Sequence, residues 1–250
     1  MTIERKVGMG IAGQPSGSEN VAEVFSTDLF NIGNANLRIR NGIDLSGEGG
    51  MVWFASRGAA KSPNITDTER GAGYRLRPFS NYNANGSVAT TEVVTQFRTN
   101  GFNYGDAYNS SSAVTWTFRK APKFFDVVTY TGNGATSRNI PHSLGVAPGM
   151  MIVKRYDGGA TNWFTYHRST GNNKYLYLND ARASAVDTEP WAATTPTDSV
   201  FTVGSGNTNG NTNSFVAYLF ADNSSEDAED QIIKCGSYTG NGSTQNISLG

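Results

Sequence analysis

At 250 residues, the chain is long enough for one large domain or two of ordinary size, so a sizeable core needs no staples. It carries 29 glycines and only 16% charged residues, which leaves Ser, Thr, Asn and Gly to build the surface and argues against helical bundles. A net charge of −1 excludes a global basic field for nucleic acid or anionic membrane. No apolar run approaches the ~18 residues of a membrane span. The lone cysteine, Cys235, leaves no intramolecular disulfide framework, as suits assembly in a reducing cytoplasm.

In chain order, residues 1–21 come first. Met1–Lys6 is charged and leads into no apolar region, so no export signal is expected. Gly8, Gly10, Gly13, Pro15 and Gly17 leave nothing to form a core, and this arm is expected to order only against a partner surface. The run Gly8-Met9-Gly10-Ile11-Ala12-Gly13 has dinucleotide-loop spacing, but Gln14-Pro15-Ser16-Gly17 follows it and cannot propagate the required helix.

Beyond the arm the chain nearly repeats itself. Tyr130-Thr131-Gly132-Asn133-Gly134 returns 108 residues later as Tyr238-Thr239-Gly240-Asn241-Gly242, each copy leading into Ser-Leu-Gly. Fainter pairs precede these. Met51-Val52-Trp53-Phe54 answers to Met151-Ile152-Val153-Lys154, Gly101–Gly105 to Val200–Gly204, and Ala113–Phe118 to Phe215–Phe220. These place a first module at 22–122, a second at 123–223, an acidic linker at 224–231, and at 232–250 the opening of a third module of about two strands. Too few residues lie there to bury a core, so continuation of the chain is the favoured expectation.

Within the modules the alternation is of strand type. Val114, Trp116 and Phe118 fall on one face and Thr115 and Thr117 on the other, while Asn100-Gly101, Asn133-Gly134, Asp157-Gly158-Gly159 and Asn209-Gly210 signal turns. The expected fold is all-β.

Chemistry-bearing residues are sparse. His142 and His167 lack metal-spaced partners, and no Gly-x-Ser-x-Gly elbow is present. His167 reads first as a turn or edge residue and second as a glycan contact. Asp157, Asp180, Asp187 and Glu189 read as turn caps, since spacing alone cannot set two carboxylates across a cleft. Trp163 and Trp191 sit in loop-flanked positions, either as core fillers or as exposed rings for stacking on sugars; Tyr175 and Tyr177 read as core. The expectation is therefore no enzyme, no cofactor and no metal, with Trp163, His167 and Trp191 as candidate glycan contacts.

The motif residues also carry a resemblance. Tyr130–Gly134, Ser143–Arg155 and Val216–Ala221, with Asn41–Trp53 and Ser112–Val128, resemble modules of structural proteins encoded by marine tailed phages. It covers residues 22–250. The resemblance implies tandem antiparallel β-sandwich modules of lectin-like, concanavalin-like jelly-roll type behind an extended N-terminal arm. It further implies a tail-fibre or appendage subunit of the virion, assembled in the bacterial cytoplasm and homotrimeric by likeness to fibres. In that reading Ile3, Arg5, Val7, Met9 and Ile11 attach the arm to other virion proteins, a tail adaptor, nozzle or neck, and the modules reach a host surface glycan. A capsid decoration protein and a glycan-binding or glycan-cleaving module are the alternatives.

Overall fold

The computed structural model describes residues 20–32, 37–58, 62–81, 93–105, 111–223 and 231–247. The attachment residues Ile3, Arg5, Val7, Met9 and Ile11 lie outside them, as does most of the acidic linker. The chain divides into two compact units: Met1–Ala121 with Tyr156–Ala160, and Pro122–Arg155 with Thr161–Gly250. All strand pairing is antiparallel among the described residues, and the fold is all-β.

The first unit begins with a single helical turn, α1 (Val21–Val24), capped by Asn20, whose side chain accepts from the Ala22 N–H. Seven strands follow: β1 (Phe25–Ile32), β2 (Leu37–Arg40), β3 (Gly50–Ser56), β4 (Asn64–Asp67), β5 (Val94–Arg98), β6 (Gly101–Tyr104) and β7 (Ser111–Arg119). They form one sheet in the order β1-β7-β3-β4 and another in the order β2-β6-β5. A single apolar cluster draws on both, with Val52, Phe54 and Ala113 from the first and Ile39, Val94, Phe102 and Tyr104 from the second. This makes the unit sandwich-like.

The second unit holds β8 (Phe125–Thr131), β9 (Arg138–Pro141), β10 (Pro148–Arg155), β11 (Phe164–His167), β12 (Lys174–Tyr177), β13 (Ala185–Val186), β14 (Val200–Val203) and β15 (Ser214–Ala221). Its sheets run β13-β12-β11-β10-β15-β8 and β14-β9. Met151, Val153, Phe164 and Leu219 from the larger sheet meet Ile140, Phe201 and Val203 from the smaller in one core. The strand orders correspond: β8-β15-β10-β11 repeats β1-β7-β3-β4, and β9-β14 repeats β2-β6. Side chains repeat with them. Phe25 opposes Phe118 with ring centroids 4.8 Å apart, and Phe125 opposes Phe220 at 5.1 Å.

One expected correspondence is off by a residue. Met51 pairs with Phe118 and Met150 pairs with Phe220, so Met51 matches Met150 rather than Met151. Val52 and Phe54 face the first core where Met151 and Val153 face the second. A one-residue slip exchanges the faces of a strand, so only this register keeps the apolar set inside. The ladder irregularity between Pro148 and Met150 absorbs the difference in spacing.

The alternation in β7 holds, but its threonines are the more deeply buried set. Thr115 and Thr117 are fully buried, and Asn41 Nδ2 donates to Thr117 Oγ1 at 3.0 Å. Trp116 instead lies on the opposite face, edge-on to Trp53 of β3 at 6.5 Å.

The two strands expected within 232–250 do not form over the described residues 231–247. Ile233 packs on the second core, and the Asn223 N–H donates to its carbonyl. Farther along, the Tyr238 motif keeps only its local turn. Asn241 Oδ1 accepts from the Ser243 N–H at 2.9 Å, as Asn133 Oδ1 does from Ala135 at 3.1 Å. Gly242 and Gly134 share the left-handed conformation, φ 76° and 73°. A strand needs a neighbour to satisfy its backbone, and none of the described strands pairs with this segment.

Candidate functional site

Among the described residues the larger sheet of the second unit has six strands and the smaller two. The two-stranded sheet cannot cover the full width of its partner. The uncovered margin falls at β12 and β13, where every residue of Lys174–Tyr177 is only partly buried.

On this margin Tyr175 and Tyr177 lie two apart on one face of β12, over Phe164 of β11, with ring centroids 5.0 and 5.1 Å from it. Their own centroids are 5.0 Å apart, and Tyr177 donates to the Tyr175 hydroxyl at 3.2 Å. That shared hydrogen bond, then burial, pushes Tyr175 up to about 12, so its hydroxyl stays a neutral donor and acceptor near neutral pH. Arg182 places its guanidinium 5.1 Å from the Tyr177 centroid. Asp180 holds that guanidinium, with Nη2 at 2.8 Å and Nε at 3.0 Å, and also accepts from the Arg182 N–H. The hydrogen bonds from Arg182 hold the Asp180 carboxyl below its usual range. The result is a half-open aromatic shelf edged by an oriented Arg–Asp pair. Such a shelf can stack on the C–H face of a ring and hydrogen-bond its hydroxyls.

The residues singled out from sequence fall elsewhere. Trp191 is fully buried in the second core, edge-on to Tyr166 at 5.9 Å, with Nε1–H donating to the Lys174 carbonyl at 3.0 Å. Trp163 is also fully buried, stacked on Tyr218 at 6.4 Å and lying 5.9 Å from the Lys154 ammonium. Of the two readings open for these rings the core-filling one holds, and their placement as glycan contacts is corrected: both are closed to solvent. His167 ends β11: its Nδ1 accepts from the Ser169 N–H at 3.2 Å and its carbonyl from Thr170. Burial, then the charge of Arg168, lowers its pKa. Asp187 caps a local turn through the Glu189 N–H at 2.9 Å. Among the described residues no three His, Cys, Asp or Glu side chains gather as a metal site.

Sequence reasoning passed over the tyrosine shelf because Tyr175 and Tyr177 alternate like core residues. Only the mismatch in sheet width exposes them. A signal was present in the chain: Tyr-Leu-Tyr-Leu followed at once by Asn179-Asp180-Ala181-Arg182 sets polar hydrogen-bonding residues beside two rings.

Two compact units of antiparallel sheets, one carrying an aromatic shelf, make this an all-β protein. Over residues 22–248 the chain matches a family model described as "Domain of unknown function (DUF7483)", and it belongs to that family. No curated protein and no solved structure matches the chain.

Proposed function

We propose that this protein is a structural subunit of a phage virion, a tail-fibre or appendage protein that projects jelly-roll sandwich modules for host attachment. Residues 1–21 anchor it to other virion proteins, and three copies associate. The observation that carries the reading is the repetition of one strand plan in two units, joined to the module resemblance at 22–250. Repeated modules extend a binding face away from its anchor without a new fold for each segment. The Tyr175–Tyr177 shelf with Arg182 and Asp180 supplies a surface suited to sugar rings, in keeping with attachment to a host glycan. Fold alone does not establish sugar binding, so the weight rests on the shelf.

Quantitative mass spectrometry of purified particles tests it, together with particles whose copy of the protein lacks residues 1–21. A dozen to two dozen copies per particle, lost with the arm, is the expected result. Copies in the hundreds would mark a capsid decoration protein instead, and normal incorporation without the arm would remove the anchoring role.

A further inference from the structure

The smaller sheet of the first unit turns an unusual face to solvent. Its inward side is apolar, with Ile39, Phe102 and Tyr104 in the core. On its outward side the registers set Arg38 opposite Asn103 and Asn103 opposite Gln96, then Arg40 opposite Gly101 and Gly101 opposite Arg98. Three guanidinium groups therefore share one face of three short strands. Arg98 is oriented from beside it, donating through Nε to Asn103 at 2.6 Å and through Nη2 to Gln96 at 2.7 Å. Among the described residues none of the three arginines forms an ion pair. Asp44, on the chain that leads to this sheet's neighbour, turns its carboxylate instead onto the Gly47 N–H at 2.7 Å.

The centre of the face carries no side chain. Gly101 lies between Arg40 and Arg98, whose strands are separated by about 9.6 Å, two strand spacings. A Cβ there would meet the Ile39 carbonyl oxygen at 2.2 Å, and φ is 130°, so the position demands glycine. Gly101 itself is buried, so the exposed part of the face is Arg38, Arg40 and Gln96, with the half-buried Arg98 beside them.

The second unit builds the same two-strand pairing without the charges of Arg38 and Arg40. Ile140 pairs with Phe201 as Ile39 pairs with Phe102, which places Asn139 where Arg38 stands and Pro141 where Arg40 stands. Thr202, opposite Asn139, takes the place of Asn103 and bonds that asparagine at 2.9 Å. The same plan folds with a neutral face. In the first unit the three like charges repel one another, and only Arg98 offsets that cost with hydrogen bonds, to Asn103 and Gln96.

We infer that the Arg38–Arg40–Arg98 face of the first unit binds an acidic polysaccharide, pairing uronate-type carboxylates with its guanidinium groups. Planar guanidinium forks match carboxylates in bidentate fashion, and the amides of Gln96 and Asn103 suit neighbouring hydroxyls. Among the described residues the face carries no aromatic ring to stack a base, and the chain as a whole carries no positive field, so single-stranded nucleic acid is the less favoured ligand. The inference goes beyond the virion reading and does not depend on where the protein sits.

The test uses the full chain with polygalacturonate, neutral dextran and a single-stranded oligonucleotide as probes, by calorimetry or biolayer interferometry. Polygalacturonate is expected to bind with an affinity that falls as salt rises, and dextran not to bind at this face. Arg40→Gln with Arg98→Gln should weaken polygalacturonate binding at least tenfold, while Arg182→Gln in the second unit leaves it unchanged. Arg38→Asn copies the residue of the second unit and should lower affinity without lowering the melting temperature. Binding unchanged in the double variant, binding of the oligonucleotide as tight as that of polygalacturonate, or no binding of polygalacturonate to the unaltered chain would each overturn the inference.

Discussion

Asn209 and Asn133 hold each other reciprocally: Asn209 Nδ2 donates to Asn133 Oδ1 at 2.8 Å, and Asn209 Oδ1 accepts from the Asn133 N–H at 3.1 Å. Asn209 Nδ2 also reaches the Ala135 carbonyl at 2.9 Å, and the Gly134 N–H donates to the Asn209 carbonyl at 2.8 Å. One fully buried asparagine thus pins the Tyr130–Gly134 turn to the connection between β14 and β15. Asn209→Ala strands several of these groups and should destabilise the second unit by about 2–3 kcal/mol. Asn241→Ala, in the copy of the motif that makes only local bonds, should stay within about 0.5 kcal/mol. Urea unfolding of both variants checks the contrast.

Trp191→Ala should cost about 3–5 kcal/mol, the range for emptying a large aromatic from a core. Trp191→Phe should cost less and leave the Lys174 carbonyl without its donor. Denaturant midpoints separate them, and an intact-fold Trp191→Phe protein should keep any glycan binding at full strength, since that ring is closed to solvent.

Tyr177→Ala with Arg182→Ala should abolish binding to neutral host glycans on an array while leaving thermal unfolding within a few degrees, because both groups lie on the half-open margin. Retained binding in the double variant would move the sugar site away from the shelf.

Lys154 is buried beside Trp163, with Thr161 Oγ1 accepting at 3.1 Å, and burial lowers its pKa to about 8. The unfolded chain then binds more protons than the folded one between about pH 8 and the ordinary lysine value. Stability contributed through Lys154 should rise with pH across that window, and the penalty should be complete below it. Burial also raises Cys235, so other groups run the opposite way and the raw profile is mixed. The difference between the native chain and Lys154→Met isolates the effect: Lys154→Met should gain most relative stability below pH 8 and lose that advantage towards pH 10.5.

Burial pushes the Cys235 thiol up to about 11, with Arg168 opposing, and Sγ–H donates to the Ala221 carbonyl. At pH 8 its thiolate fraction falls on the order of a hundredfold below that of an ordinary cysteine. Labelling with a disulfide reagent should be slower by about that factor in the native protein than in urea, and equal rates would contradict the burial.

Much of the fold was legible before any coordinates. Strict alternation in Ala113–Phe118, the Asn-Gly turn at Asn100–Gly101 and the likeness of Ala113–Phe118 to Phe215–Phe220 together specify strands, a hairpin and a repeated strand order, whereas the recurrence of Tyr-Thr-Gly-Asn-Gly specifies only a local turn. These signals are local: side-chain period and backbone preference at single residues write them directly into the chain. The equivalence of Met51 to Met150 was not legible, because matching methionines pull the comparison one place over while the cores count faces.

The candidate sites divide along the same line. Composition and spacing determined by themselves that the chain is built of strands, that it repeats, and that no metal or nucleophile motif stands out in it. Tertiary structure alone decided which aromatics are hidden and which are presented: Trp163 and Trp191 are enclosed, Tyr175 and Tyr177 are left half-open. It also gathered Arg38, Arg40 and Arg98, some sixty residues apart in the chain, onto one face around Gly101. The physical reason is that exposure depends on how far one sheet overhangs another and on which strands become neighbours. Both are properties of long-range pairing, which no short window of sequence encodes.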